Sequence, residues 1–211
     1  MPLNLTQEKA LIFRIMHRDN VPWIVANGMH CRNAGITDPD FVTIGNPDLI
    51  ESRRARPIPH TPHGTLSDYV PFYFTPYSPM LLNITTGFNG VRRCHREEIV
   101  IFVSSLGALR VLNIPFLFTD RHANLATARF SSDVSDLEWI DWTALQRRDF
   151  KRDPEDPGKF ERYQAEALIY KHLPISGVSG IICANDHTAN SLKNTVNTGA
   201  DTLKIISRPG L

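Results

Sequence analysis

The sequence predicts a mixed α/β (α+β) domain, and three observations carry that expectation. Apolar clusters are short, rich in β-branched and aromatic residues, and bounded by turn residues, as strands are. Brief stretches with helical spacing recur between them. Two long polar intervals, 37–65 and 120–158, interrupt the pattern, and connections of that length in a compact domain are usually functional.

The elements follow in order. Residues 11–16 alternate apolar and polar well enough for a first strand, and 21–28 form a short helix that begins near Asn20 and stops at Gly28. A helix is predicted over 47–54. Strands are expected at 69–75, 98–104, 115–119, 178–183 and 203–207. Pro71 lacks the N–H a central strand must donate, which makes 69–75 an edge or bulged strand, with Tyr73 and Phe74 as core. Further helices are predicted at 105–112, 141–147, 159–172 and 186–196. There is no internal repeat and no low-complexity linker. With 42% hydrophobic residues, the 211 residues are expected to form one compact domain over 1–211.

Charge and cysteine content narrow the class. Lys plus Arg (23) almost equals Asp plus Glu (22), so bulk charge does not announce a nucleic-acid binder, although local clusters can. Cys31, Cys94 and Cys183 are odd in number and far apart, which fits buried thiols in a reducing compartment. No run approaches the roughly 18 apolar residues of a membrane span. A soluble, cytoplasmic protein with no membrane partner is expected. His30 with Cys31 and Cys94 with His95 would point to opposite faces of a strand, and His60 with His63 lacks a third ligand, so no metal is expected and a metal-dependent nuclease is disfavoured.

One side chain stands out. Read as an amphipathic helix, 159–170 places Glu166 on the side of its apolar neighbours, just after a charged, proline-broken loop. A carboxylate there is either paired in a partly buried site or used in chemistry. The bland alternative is a surface glutamate paired with Arg162 one turn earlier, worth roughly 0.2 to 0.5 kcal/mol. Basic residues cluster in the two polar intervals, Arg53, Arg54 and Arg56 in the first and Arg121, His122, Arg147, Arg148, Lys151 and Arg152 in the second. Taken singly, each reads as solvated surface.

Taken together and in order, HRDNVPWIVANG (17–28), IGNPDLIESR (44–53), GTLSDYVPFYFTP (64–76), SPML (78–81), FTDRHA (118–123) and RYQAEA (162–167) resemble the DarT family. Its members are DNA ADP-ribosyltransferase toxins of DarT/DarG toxin-antitoxin systems. The resemblance implies a compact ADP-ribosyltransferase fold related to that of the poly(ADP-ribose) polymerases, with a central mixed, split β-sheet flanked by short helices and long loops. It implies NAD as donor, a thymine base of single-stranded DNA as acceptor, and a DarG-like macrodomain antitoxin as the partner that reverses the mark. A monomer is expected.

Carried over by position, Glu166 matches the family's catalytic glutamate and Arg53 its catalytic arginine. His17, Arg18 and Asp19 fall where the first strand meets NAD, 38–53 resembles the NAD-binding element, and 122–166 spans the substrate-recognising loop. DNA contacts are expected from Tyr77, Ser78, Pro79 and Met80, from Arg148, Phe150, Lys151 and Arg152, and from Phe160, Arg162, Tyr163 and Gln164. Tyr77 stands where many relatives carry a basic residue, so stacking on a base replaces a phosphate contact there.

The chemistry suits these residue types. Nicotinamide leaves NAD as a neutral ring and the ribose carbon becomes cationic, so one well-placed carboxylate is worth about 2.7 to 4 kcal/mol, or roughly 10² to 10³ in rate. An arginine is a poor base, since its pKa is above about 12. Arg53 is therefore expected to bind the pyrophosphate or the thymine carbonyl and to stabilise the deprotonated base, with proton removal shared by water or His122. Transfer to guanine, RNA or protein, or a non-enzymatic DNA-binding module, are the competing classes.

Overall fold

A computed structural model describes residues 3–196 and 203–210. In chain order the elements are β1 (Leu11–His17), α1 (Val21–Asn27), β2 (Met29–His30), α2 (Pro47–Ala55), β3 (Tyr69–Tyr73), α3 (Pro79–Thr86), β4 (Ile99–Ser105), α4 (Leu106–Val111), β5 (Phe116–Thr119) and β6 (Phe130–Ser131). They continue with α5 (Trp142–Arg147), α6 (Lys159–Arg162), β7 (Glu166–Tyr170), β8 (His172–Leu173), β9 (Gly180–Cys183), α7 (Asp186–Thr195) and β10 (Lys204–Ser207).

Eight strands form one mixed sheet in the order β10-β9-β4-β1-β3-β7-β5-β6, in which β10 and β9 run parallel and the other pairs antiparallel. β1 is in register with β4 along its whole length, from Leu11 opposite Ser105 to His17 opposite Ile99. Toward β3 the only registered pair among the described residues is Phe13 with Tyr73. The sheet therefore splits between β1 and β3, in keeping with the expected split architecture. β4 reads as a continuous apolar run because both its faces are covered, with Ile99, Val100, Ile101 and Phe102 all buried.

Helix ends follow local chemistry. Asn46 accepts the Asp48 and Leu49 N–H groups at the start of α2, with Pro47 in the first turn. Ser78 and Pro79 do the same for α3, which ends at Gly87 with φ 76°, a helix the sequence reading did not draw. Gly28, as expected, stops α1, and its φ of 78° together with the Leu173 carbonyl only 2.7 Å from where a Cβ would sit leaves no alternative to glycine.

Two expectations are corrected. The helix drawn over 159–172 is helical only at Lys159–Arg162, after which the chain straightens into β7 and β8. Ala167, Leu168 and Ile169 are fully buried between β3 and β5, and a short apolar run in the sheet centre forms strand whatever its helical propensity. Pro71 does not mark an edge, because β3 lies between β1 and β7. Its carbonyl points toward β1 and accepts from Arg14 Nη1 at 2.6 Å. The two backbone groups of a strand residue face the same side, so the missing N–H faces the split, where no ladder partner is lost.

Phe102 is fully buried in β4, flanked by β1 and β9. Phe102→Ala is expected to cost about 3 to 5 kcal/mol, read as a lowered midpoint in guanidinium unfolding; a change within about 0.5 kcal/mol would place the core elsewhere.

Candidate active site

The split between β1 and β3 opens into a cavity of about 1020 Å³. Arg14, Met16 and His17 line it from β1, Tyr73 from β3, Glu166 from the first position of β7, and Arg53 from the last turn of α2. Phe41 to Asn46 also line it, and the Asn20 side chain holds this segment by binding the Val42 backbone twice, at 2.8 and 2.9 Å. Asn20 is thus a buried staple and offers α1 no side-chain cap.

Glu166 is 1% exposed, and each of its carboxylate oxygens accepts one hydrogen bond, which leaves acceptor capacity on both. Oε1 accepts the Ala123 N–H at 2.9 Å and Oε2 accepts Arg53 Nη1 at 2.9 Å, while its own N–H donates to Thr119 Oγ1 at 3.1 Å. Burial pushes its pKa up, but the Arg53 charge, followed by His122 and the Ala123 N–H, outweighs burial and holds it below the usual glutamate range. The group is a carboxylate at neutral pH. Arg162, the partner considered for it on a helix, instead pairs with Asp156 and Asp141.

The turn after β5 holds this geometry. Asp120, also buried, accepts from Arg121 at 3.0 Å and from the Arg129 backbone and side chain at 3.0 Å each. Burial again pushes this carboxyl up, and the Arg121 and Arg129 bonds more than reverse it. His122 stands 3.8 Å from Glu166, too far for a hydrogen bond. Its Nδ1 accepts the Asn124 N–H at 3.2 Å, which assigns the neutral ring's proton to Nε2.

Three donors in or beside the cavity are buried without a hydrogen-bond partner among the described residues: Arg14 Nε, His17 Nε2 and Arg53 Nη2. Arg14 is the residue the sequence reading missed. A lone charge inside the otherwise apolar strand 11–16 was the available signal. Burial first, then the Arg53 charge, lowers its pKa to about 10, so it remains a cation. Tyr73 was expected in the core and instead faces the cavity, half-buried, with its phenol pushed up by burial and by Glu166. Phe74 is fully buried, as expected.

The other expected site residues divide. Met80, Phe150, Arg152, Phe160 and Gln164 line the same cavity, with the Arg152 guanidinium 4.6 Å from the Phe160 ring centre. Pro79 lines it too, although largely buried. Arg148 covers the Tyr77 ring at 3.5 Å and donates to its hydroxyl at 2.5 Å. Tyr163 is fully buried and donates to the Tyr77 carbonyl, and Ser78 is buried as the cap of α3; neither exposes a surface for a base. Lys151 is exposed, whereas Arg162 is held by its aspartates. Arg18 and Asp19 lie outside the cavity, paired at 3.5 Å on the exposed face. Of the other basic residues, Arg54 pairs with Glu51, and Arg56 donates to the Leu125 carbonyl. Among the described residues no group of three or more His, Cys, Asp or Glu side chains is arranged to hold a metal, and no helix is long and apolar enough to cross a membrane.

Comparison with known proteins adds an independent line. The family model for DarT, a single-stranded-DNA thymidine ADP-ribosyltransferase, matches residues 13–211. A DNA ADP-ribosyl transferase of Escherichia coli O127:H6 is 49% identical over 207 residues, 98% of this chain and 95% of that protein. The Thermus sp. 2.9 DarT structure in complex with ADP-ribosylated single-stranded DNA superimposes with a TM-score of 0.86 at 30% identity, covering 99% of this chain and 97% of that one. The same Thermus protein in complex with NAD+ gives 0.79 over 95% and 94%.

Asp120→Asn is expected to lower stability by about 1 to 3 kcal/mol near pH 7, because Arg121 and Arg129 lose a charged acceptor. A carboxyl depressed in the folded state adds stability above its unfolded value of 3.8, and that contribution is lost as pH falls through the folded value. Denaturant titrations carried below about pH 4 should therefore show a shallower decline for the variant than for the parent, and equal slopes would count against the assignment.

Proposed function

The chain belongs to the DarT family, and from that premise we propose that it works as an NAD-dependent thymidine ADP-ribosyltransferase of single-stranded DNA through Glu166, Arg53 and the cavity of the split sheet. The observation that carries the assignment of residues is the buried Glu166 carboxylate, ionised and held at the cavity wall by the Ala123 N–H and Arg53, with its backbone N–H tied to Thr119 Oγ1.

In this reading NAD occupies the cavity with its nicotinamide ribose beside Glu166. The bond between the ribose anomeric carbon and the nicotinamide nitrogen breaks, its electron pair leaving with the ring, which departs neutral. Positive charge grows on the anomeric carbon, and the nearby carboxylate stabilises it while holding a ribose hydroxyl. The acceptor thymine ring nitrogen then bonds to that carbon and loses its proton. Arg53 Nη2, buried and without an acceptor, is placed to bind the thymine carbonyl or a phosphate oxygen and so to stabilise the base anion. With the proton on Nε2, His122 offers a donor, which favours water as the immediate proton acceptor. His17 Nε2, without a hydrogen bond and 3.7 Å from Glu98 Oε1, is a second group for the donor's ribose. Residues 41–46, which line the cavity, pack against the dinucleotide in this reading.

The acceptor strand enters past Met80, Phe150, Arg152, Phe160 and Gln164, where cations and aromatic rings alternate. An unpaired, unstacked base reaches a recessed carboxylate more readily than one in a duplex. One chain supplies every catalytic group, consistent with a monomer. The proposed partner is a DarG-like macrodomain that removes the modification. The proposed place of action is the cytoplasm, where NAD meets replicating DNA.

Glu166→Gln preserves shape and removes the charge. Incubated with NAD and oligonucleotides differing in a single base, the parent is expected to add ADP-ribose to thymidine, read by mass spectrometry, and the variant to fall by roughly 10² to 10³ in rate. Undiminished transfer by a folded variant would reject the role, and modification confined to guanine, RNA or protein would reassign the acceptor.

A further inference from the structure

A second cationic feature lies outside the catalytic cavity. Between α3 and β4, Arg92, Arg93 and Arg96 are exposed, and among the described residues their guanidinium groups take part in no ion pair or hydrogen bond. Arg53, Arg121, Arg129 and Arg162 are held by carboxylates, and what sets this trio apart from single exposed arginines such as Arg32, Arg110 and Arg147 is that three lie together. The acidic neighbours Glu97 and Glu98 do not neutralise the group. Glu97 accepts from Asn185 at 2.8 Å, and Glu98 accepts the His95 N–H at 2.7 Å and approaches His17 at 3.7 Å.

The segment is also anchored. Val91 and Cys94 are buried, and the Cys94 N–H donates to the Ile84 carbonyl at 3.0 Å, so the intervening arginines are turned outward from a fixed backbone. Val91 and Phe88 line the catalytic cavity, and Phe88 is 63% exposed, second only to Val111 among the large apolar side chains of the described residues. α3 joins this patch to Met80, about 12 Å of helix along which a few nucleotides can lie.

We propose that Arg92, Arg93 and Arg96 form a phosphate-binding rim for the part of the DNA strand flanking the modified base, with Phe88 as a stacking platform between the rim and the cavity. The inference rests on the DNA-acceptor reading above. Unpaired guanidinium groups in series on an anchored backbone, beside an exposed ring, are the arrangement that tracks a single-stranded backbone without reading its sequence. The rim holds strand that a minimal substrate does not have, so its contribution grows with the length of the acceptor.

The test compares R92E/R93E/R96E, and the milder R92Q/R93Q/R96Q, with the parent on two acceptors carrying one thymidine each, a short one of about four nucleotides and a long one of about 16. Loss of three phosphate contacts should reduce the slope of log kcat/KM against log salt on the long acceptor by about 2, and low-salt kcat/KM there by at least about tenfold. NAD hydrolysis and transfer to the short acceptor should stay unchanged. An unaltered slope and rate on the long acceptor overturns the rim, including the case where the variants lose binding only to an acidic protein. Equal losses on both acceptors and in NAD hydrolysis also overturn it, since the arginines then act through the fold or the donor site. If the parent hydrolyses NAD and modifies neither acceptor, the DNA reading falls and the rim with it.

Discussion

The buried ion pair between Arg53 and Glu166 is the constraint on which the site depends. Each charge has given up water, and the 2.9 Å bond returns only part of that cost, so such a pair is poor evidence of stabilisation. Removing one partner would strand the other, which costs about 3 to 5 kcal/mol in comparable buried pairs. What the pair supplies is placement. Arg53 arrives on α2, Glu166 on β7, and the Ala123 N–H from the turn after β5, so three distant parts of the chain must be correct before one carboxylate is in position.

The sheet makes room for that carboxylate by failing to close. Had β1 and β3 paired along their length, Arg14 and Tyr73 would lie inside a continuous ladder with no cavity between them. Pro71 has no N–H to offer β1, and Arg14 reaches the Pro71 carbonyl across the gap instead. A residue that weakens an ordinary central strand here keeps open the cleft that becomes the site.

That is also where sequence reasoning met its limit. Local chemistry made most elements legible: the strand at 11–16, the start of α2 at Pro47, the Gly28 stop, and the β-branched and aromatic content of β4. The resemblance brought Glu166, Arg53 and His122 to one place, and the structure brings them together. The failures concern long-range pairing. Strand β7 reads as helix because Glu166, Ala167 and Leu168 are good helix formers, and only its neighbours β3 and β5 decide otherwise. Pro71 reads as an edge because a split in the middle of a sheet has no sequence signature. Arg18 and Asp19 fall outside the cavity because the chain turns directly after His17. Two misses had a local signal: Ser78, Pro79 and Gly87 mark the ends of the undrawn α3, and Arg14 is the one charge in an apolar strand.

The charge balance at the cavity bears on the proposed chemistry. Arg14 and Arg53 beside Glu166 are cations, Arg152 adds a third along the lining, Glu166 is the only carboxylate among the lining residues, and Tyr73 is held neutral, so the pocket carries a surplus of positive charge. A dinucleotide pyrophosphate finds compensation there, while the positively charged nicotinamide ring does not. Repulsion from two guanidinium groups is relieved when that ring leaves as a neutral molecule, and the charge it sheds passes to the ribose carbon beside Glu166. The same two cations that disfavour the ring favour an anionic thymine. In the proposed mechanism one electrostatic arrangement therefore assists both departure of the leaving group and generation of the nucleophile, without requiring any side chain to serve as a strong base.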